Sequence, residues 1–212
     1  MGCSPHGKDK YLNTSRQLSE RIGSKGFMGL WEPNDREGRS LDKKFKLYAA
    51  HQDFTDASGK KILLTYKDTV KELASRKDWN GHDGGDFEND AALYEALKDG
   101  SGIGKWFIPP RELVNGRDVD GKVVRAENNL YALRETGDFK GTFTTKHTGS
   151  THADWFWSCT ETRDHPDFVF LVRFSGGEDD WEHKGGFRLR CRPCRVEAVV
   201  HLTLPVFPPQ TA

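Results

Sequence analysis

The second half of the chain consists of short apolar segments with turn residues between them. Strand-like runs cover residues 155–160, 168–174, 187–192 and 196–204, and the pairs His165-Pro166, Gly176-Gly177 and Gly185-Gly186 lie between them. Short apolar runs that each end at a turn signal are typical of antiparallel strands. The sequence therefore predicts an antiparallel sheet in this half.

The first half carries helical patterns and one expected hairpin. Residues 43–48 and 61–66 are predicted to be strands paired across a turn at Gly59. Apolar residues recur at helical spacing in 66–76, 90–98 and 127–136, with Asp68 as the expected N-cap of the first helix and Gly100 beyond the end of the second. Residues 1–40 are polar and Gly-rich, which predicts an irregular N-terminal arm before a domain at 41–212. Short helices followed by an antiparallel sheet indicate an α+β domain.

Composition narrows the classes of function. The 212 residues carry 32 Lys and Arg against 32 Asp and Glu, so the net charge is zero. This balance argues against a nucleic-acid partner or an anionic membrane surface, both of which require a basic excess. No apolar run approaches the roughly 20 residues of a bilayer-spanning helix, and no signal peptide is visible. We expect a soluble protein without membrane insertion, which would reach a virion or cell surface through a partner, through a particle, or by export without a signal readable in the sequence.

Four segments together resemble a known family. Residues 104–113 read GKWFIPPREL, 156–161 read FWSCTE, 169–177 read VFLVRFSGG and 188–192 read RLRCR. In this order they resemble the Lcl C-terminal domain family, and the resemblance covers about residues 66–196. It implies a C-type-lectin-like fold and a ligand-binding role. The same motif order is similar to the variable proteins of diversity-generating retroelements, which would make 155–192 a hypervariable, ligand-binding segment.

Candidate ligand-binding residues follow from this segment. Alternation along 168–174 predicts that Phe170, Val172 and Phe174 face the core, with Leu171 and Arg173 facing outward. The polar stretch 175–186 is expected to be a loop, and its Trp181 either anchors an interface or lies over the core of its own domain. We expect one solvent-facing patch for a protein or glycan ligand on a cell surface, formed by Trp155, Arg163, His165, Leu171, Arg173, Asp179, Trp181 and His183. No pair among them forms an acid–base unit, which argues against an enzyme.

The cysteines leave several interpretations open. Cys191 and Cys194 form a C-x-x-C, which alone is half a zinc site or a redox pair, and no second pair follows. Packing thiols, or one disulfide between Cys159 and Cys191, are the favoured interpretations, so no metal and no cofactor are expected.

Two other functions remain as alternatives: an Lcl-type adhesin domain with fixed specificity, and an oxidase similar to the formylglycine-generating enzymes, which share the fold and use a cysteine pair.

Overall fold

The computed structural model describes residues 25–76, 84–119, 122–124, 126, 128–146 and 152–199. The strands in these ranges are β1 (Lys25–Trp31), β2 (Phe45–Ala50), β3 (Trp106–Phe107), β4 (Arg117–Val119), β5 (Lys122–Val124), β6 (Trp155–Glu161), β7 (Phe168–Arg173), β8 (Asp179–His183) and β9 (Cys194–Ala198). The helices are α1 (Tyr66–Ser75), α2 (Asp90–Asp99), α3 (Arg111–Val114) and α4 (Leu130–Leu133), and a 3-10 turn covers Gly137–Phe139. None of these helices has the length and hydropathy to cross a bilayer.

The strands form three antiparallel sheets. The first has the order β1-β2-β9-β3, so β9 from the end of the described chain lies between β2 and β3. The second has the order β6-β7-β8, and β4 with β5 forms a small hairpin. Helices from the first half therefore accompany an antiparallel sheet from the second, as expected for an α+β domain.

Helices α1 and α2 are correctly predicted because their ends carry local signals. Thr65, rather than Asp68, is the N-cap of α1: its hydroxyl accepts a bond from the Asp68 N–H and donates one to the Asp68 carboxylate. Asn89 caps the start of α2, and Gly100 ends it in the left-handed conformation at φ 90°. The predicted helix at 127–136 is only the single turn α4.

Several expected elements differ in the structure. Strand β1 lies inside the predicted irregular arm, of which residues 1–24 lie outside the described residues. Within 61–66, only Lys61 and Leu64 form isolated bridges, and Tyr66 already begins α1. The 187–192 run likewise forms only bridges, at Leu189 and Arg190. The expected loop 175–186 contains β8, and the last predicted strand begins earlier, as β9. The bridges at Leu64 and Leu189 and the pairing of β9 with β2 depend on partners far away in sequence, which local periodicity does not show. The pairing of β8 with β7 is local, but β8 carries no apolar alternation that would reveal it.

The core is continuous between the sheets and helices. Trp157 on β6 is fully buried, donates its indole N–H to the Leu64 carbonyl at 2.9 Å, and meets the Tyr66 ring edge-on at 5.8 Å. Phe156 and Phe174 pack at 4.3 Å between ring centroids. Trp157 therefore belongs to the core.

A buried ionic cluster joins distant parts of the chain. Asp53, just after β2, accepts bonds from Arg192 at 2.8 Å, and both side chains are completely buried. Lys61 Nζ and Arg190 Nη1 lie 3.4 and 3.5 Å from the other carboxylate oxygen. The Arg192 guanidinium also donates to the Ala50 carbonyl at 3.0 Å and lies over an aromatic ring. One carboxylate thus lies within ion-pair distance of three cations, one of which has no exposed side-chain surface.

Candidate functional site

The β6-β7-β8 sheet carries a group of four aromatic rings, of which Trp181 and His165 are exposed and Phe168 and His183 are half-buried. Phe168 begins β7, and the Trp181 ring lies 5.2 Å and the His183 ring 5.5 Å from it, both nearly perpendicular to its plane. His165, in the loop between β6 and β7, adds a third ring at 5.9 Å. We call these four residues, Phe168, Trp181, His183 and His165, the aromatic patch.

Strand pairing explains why these rings meet. In the β7–β8 register, Phe168 pairs with His183 and Phe170 with Trp181, and directly paired residues project to the same face of a sheet. The connecting loop is held by its own backbone: the Phe168 N–H donates to the His165 carbonyl at 2.9 Å, and the Thr162 hydroxyl donates to the same carbonyl at 2.7 Å. The patch is therefore supported by a paired strand and an internally bonded loop.

The turn between β7 and β8 requires a glycine. Gly177 has φ 84°, and a Cβ placed there would lie 2.7 Å from the Tyr131 ring. Its N–H donates to the Arg173 carbonyl at 2.7 Å, which closes the turn. A side chain at Gly177 would therefore disturb the register that brings Trp181 beside Phe168.

One neighbouring ring on this face already holds a cation. The Arg111 guanidinium, from α3, lies over the Phe170 ring at 4.1 Å and forms an ion pair with Asp179. Arg111 thereby covers Phe170, which is half-buried, while Trp181 remains 51% exposed. The exposed patch begins where α3 ends its cover of the sheet.

The eight predicted site residues do not form one patch. Asp179, Trp181 and His183 share the patch face, and His165 and Arg163 lie in the exposed loop beside it. Leu171, predicted to face outward, is buried with 5% exposure, because it pairs with Trp157 on the core face. That expectation is wrong.

The other two predicted site residues lie elsewhere on the sheet. Trp155 pairs with Arg173, which follows the same alternation as Leu171 and lies at the opposite end of β7 from Phe168. Arg173 is held there by Asp154, at 3.1 Å from its Nε. The expectation of a single face for all eight residues is therefore also wrong.

Both faces of β7 are covered only at its Val172 end, which the alternation did not indicate, and Phe170, expected in the core, is half-buried. Val172 and Phe174, expected in the core, are buried, because Phe143 and Tyr131 pack over Phe174 from the preceding segment. Phe168, which completes the patch, was missed because it reads as the first residue of an apolar strand. The Gly176-Gly177 turn could have revealed it, since a hairpin across that turn sets Phe168 opposite His183.

The cysteines are buried and free. Cys159 and Cys191 do not form the disulfide considered above, and Cys194 is also a free thiol. Burial raises the pKa of each of these three thiols, so the reactive thiolate is disfavoured. Within the described ranges, no group of three or more His, Cys, Asp or Glu is arranged to hold a metal ion. Cys3 lies outside those ranges.

Comparison with known proteins gave no relatives. No family model matches the chain, and neither a curated protein nor a solved structure matches it. The aromatic patch itself is the feature from which a function can be argued.

Proposed function

We propose that this chain is a ligand-binding protein rather than an enzyme, and that it takes a protein or glycan ligand on the aromatic patch. The observation that carries the proposal is the 51% exposure of Trp181 on a strand that is fixed by pairing. Covering the exposed half of an indole removes about 100 Å² from water, which favours binding by about 2–3 kcal/mol. Trp at such a position is typical of residues that anchor interfaces.

We further propose a C-type-lectin-like fold, on the motifs at 104–113 and 156–192. Short helices before an antiparallel β6-β7-β8 sheet support this assignment. The variable-protein hypothesis places diversified residues in 155–192. Exposure of the 163–167 loop and of Asp179, Asp180 and Trp181 supports it, because substitutions there leave the core intact. The buried residues of β6 would form the fixed scaffold.

The two alternative functions are not equally supported. A fixed-specificity adhesin would use the same patch as a variable protein. Only the genes around the coding sequence would distinguish these two hypotheses. A cysteine-dependent oxidase needs an accessible thiolate, whereas burial raises the pKa of Cys191 and Cys194. The buried thiols therefore weigh against the oxidase.

Binding can be tested on glycan and cell-surface-protein arrays with the labelled full chain. Trp181→Ala should weaken the strongest interactions by more than about 1 kcal/mol, roughly fivefold. Phe187→Ala is the matched control, because Phe187 is 48% exposed and lies outside the patch. Loss of binding in the first variant only supports the proposal. No binding on either array, or equal loss in both variants, contradicts it.

The retroelement assignment has its own test. A reverse-transcriptase gene beside the coding sequence, with a near-identical template copy of the 155–192 stretch, is the expected finding. Its absence from the sequenced locus would favour the fixed-specificity adhesin.

A further inference from the structure

We propose that the patch takes a cationic side chain, Lys or Arg, from a basic segment of a partner protein. This inference rests on the proposed function, since it names the chemistry of the ligand for the same surface. It is carried by two independent observations: the surplus of carboxylates around the rings, and a cation that the neighbouring ring already holds.

The charges around the patch do not balance. Three carboxylates of this sheet have basic partners within the chain: Glu161 pairs with Lys184, Asp179 with Arg111 and Glu178 with Arg173. Four more make no ion pair with any described residue. Asp164 and Asp167 lie in the exposed loop next to the rings, together with Arg163. Asp180 and Glu182 alternate with Trp181 and His183 along β8, and they accept the backbone N–H groups of those two residues at its open edge. The surplus lowers the electrostatic potential at the patch and attracts a cation.

The adjacent ring shows how such a cation binds. Arg111 lies over Phe170 at 4.1 Å, with Asp179 as its counter-ion. Phe168 and Trp181 lie along the same face, next to the exposed loop that carries Asp164 and Asp167, and there is no such cation–ring contact to them within the described chain. A ring face attracts a cation within about 6 Å, and Trp does so most strongly. A ligand Lys or Arg would repeat at Trp181 the contact that Arg111 makes at Phe170.

The open edge of β8 favours side-chain recognition over strand addition. The Trp181 N–H donates to the Asp180 carboxylate and the His183 N–H to the Glu182 carboxylate, both at 2.8 Å. These donors are the ones that an added strand would need. A second copy of this chain is disfavoured as the occupant, since it would bring acidic strands together. The occupant is therefore a basic segment of another protein.

The direct test uses hexalysine as the probe, with the full chain labelled with ¹⁵N. We expect hexalysine to shift the indole N–H signal of Trp181, and hexaglutamate and maltohexaose to leave it unchanged. Trp181→Ala should weaken hexalysine binding about two- to fivefold, and Phe187→Ala should not.

A matched pair of charge variants separates local from general attraction. Asp164→Asn with Asp167→Asn removes two carboxylates beside the rings. Glu135→Gln with Asp138→Asn removes two exposed carboxylates elsewhere. The first pair should weaken hexalysine binding by at least about threefold more than the second, and it should reduce the salt dependence of binding more. Equal effects of the two pairs, or binding that ignores Trp181, overturn the inference.

The outcomes also separate this inference from the proposed function. If array ligands require Trp181 but hexalysine does not bind, the ligand-binding function stands and the cationic ligand is wrong. Binding of maltohexaose at Trp181 in place of hexalysine would likewise keep the function and overturn the cationic ligand. If Trp181→Ala changes neither array binding nor hexalysine binding, the patch is not the binding site and both proposals fall.

Discussion

Replacing Asp53 by Asn removes one negative charge from the buried ionic cluster and changes the shape of the side chain little. The carboxylate neutralises Arg192, which has no exposed surface, and lies near Lys61 and Arg190. Burial lowers the pKa of Arg192, and attraction to Asp53 offsets part of this desolvation. Asp53→Asn therefore leaves a buried guanidinium without its counter-charge.

The expected loss is large for a single isosteric change. Breaking a buried ion pair by removing one partner costs about 3–5 kcal/mol. Arg192 retains bonds to the Ala50 carbonyl and to Thr142, which hold it in place and prevent it from reaching water. Total stability is about 5–15 kcal/mol for a typical domain. At about 2–4 °C for each kcal/mol in a chain of this size, Tm should fall by about 6–20 °C.

Urea unfolding followed by tryptophan fluorescence measures this loss, and thermal melts check it. Asp138→Asn is the control, since it makes the same chemical change at an exposed position and should alter stability by less than about 0.5 kcal/mol. In a second variant, Asp53→Leu with Arg192→Met, stability should recover relative to Asp53→Leu alone, because both charges leave the core together. A loss below about 1 kcal/mol for Asp53→Asn, or no recovery in the double variant, would refute the reasoning.

Three further outcomes are expected. Leu171→Ala should lower the free energy of unfolding by about 2–5 kcal/mol because Leu171 is buried. Arg163→Ala, at an exposed position, should lower it by less than about 0.5 kcal/mol. Equal losses for the two variants in urea titrations would contradict the burial assigned to these residues. The buried thiols of Cys159, Cys191 and Cys194 should react with iodoacetamide only after unfolding, because burial raises their pKa values. Labelling of these thiols in the native protein, detected by peptide mass spectrometry, would contradict this. Burial, together with the Glu197 carboxylate, raises the pKa of Tyr48 to about 12 in the folded protein. Because the phenol of the unfolded chain ionises near pH 10, the contribution of Tyr48 to stability is present below about pH 10 and is lost as the pH rises toward 12. In Tyr48→Phe, the free energy of unfolding should fall less between pH 10 and 12 than it does in the unmodified protein. An equal fall in the two proteins would contradict the raised pKa of Tyr48.

The candidate site was only partly visible in the sequence. Trp181 stands among charged residues in a stretch without apolar periodicity, so its exposure could be predicted as one of two alternatives. Its partner Phe168 could be chosen only through the β7–β8 register, because nothing within β7 itself distinguishes it from the buried residues of that strand. The neighbouring Arg111 lies 70 positions from Trp181 in sequence, and only the contact of α3 with the sheet brings the two together.

The sequence alone determined the elements whose signals are local. Thr65 and Asn89 each cap a helix by accepting a bond from an N–H three residues later in the chain. Strands β6 and β7 are bounded by turn residues. None of these local signals depends on a distant partner. Tertiary structure alone decided which faces became core. Leu171 is buried because Trp157 pairs with it, and the Asp53–Arg192 bond joins residues 139 positions apart. The alternation of apolar and polar residues shows that a strand has two faces. Which face is buried depends on the residues that pack against it, and those residues are remote in the chain.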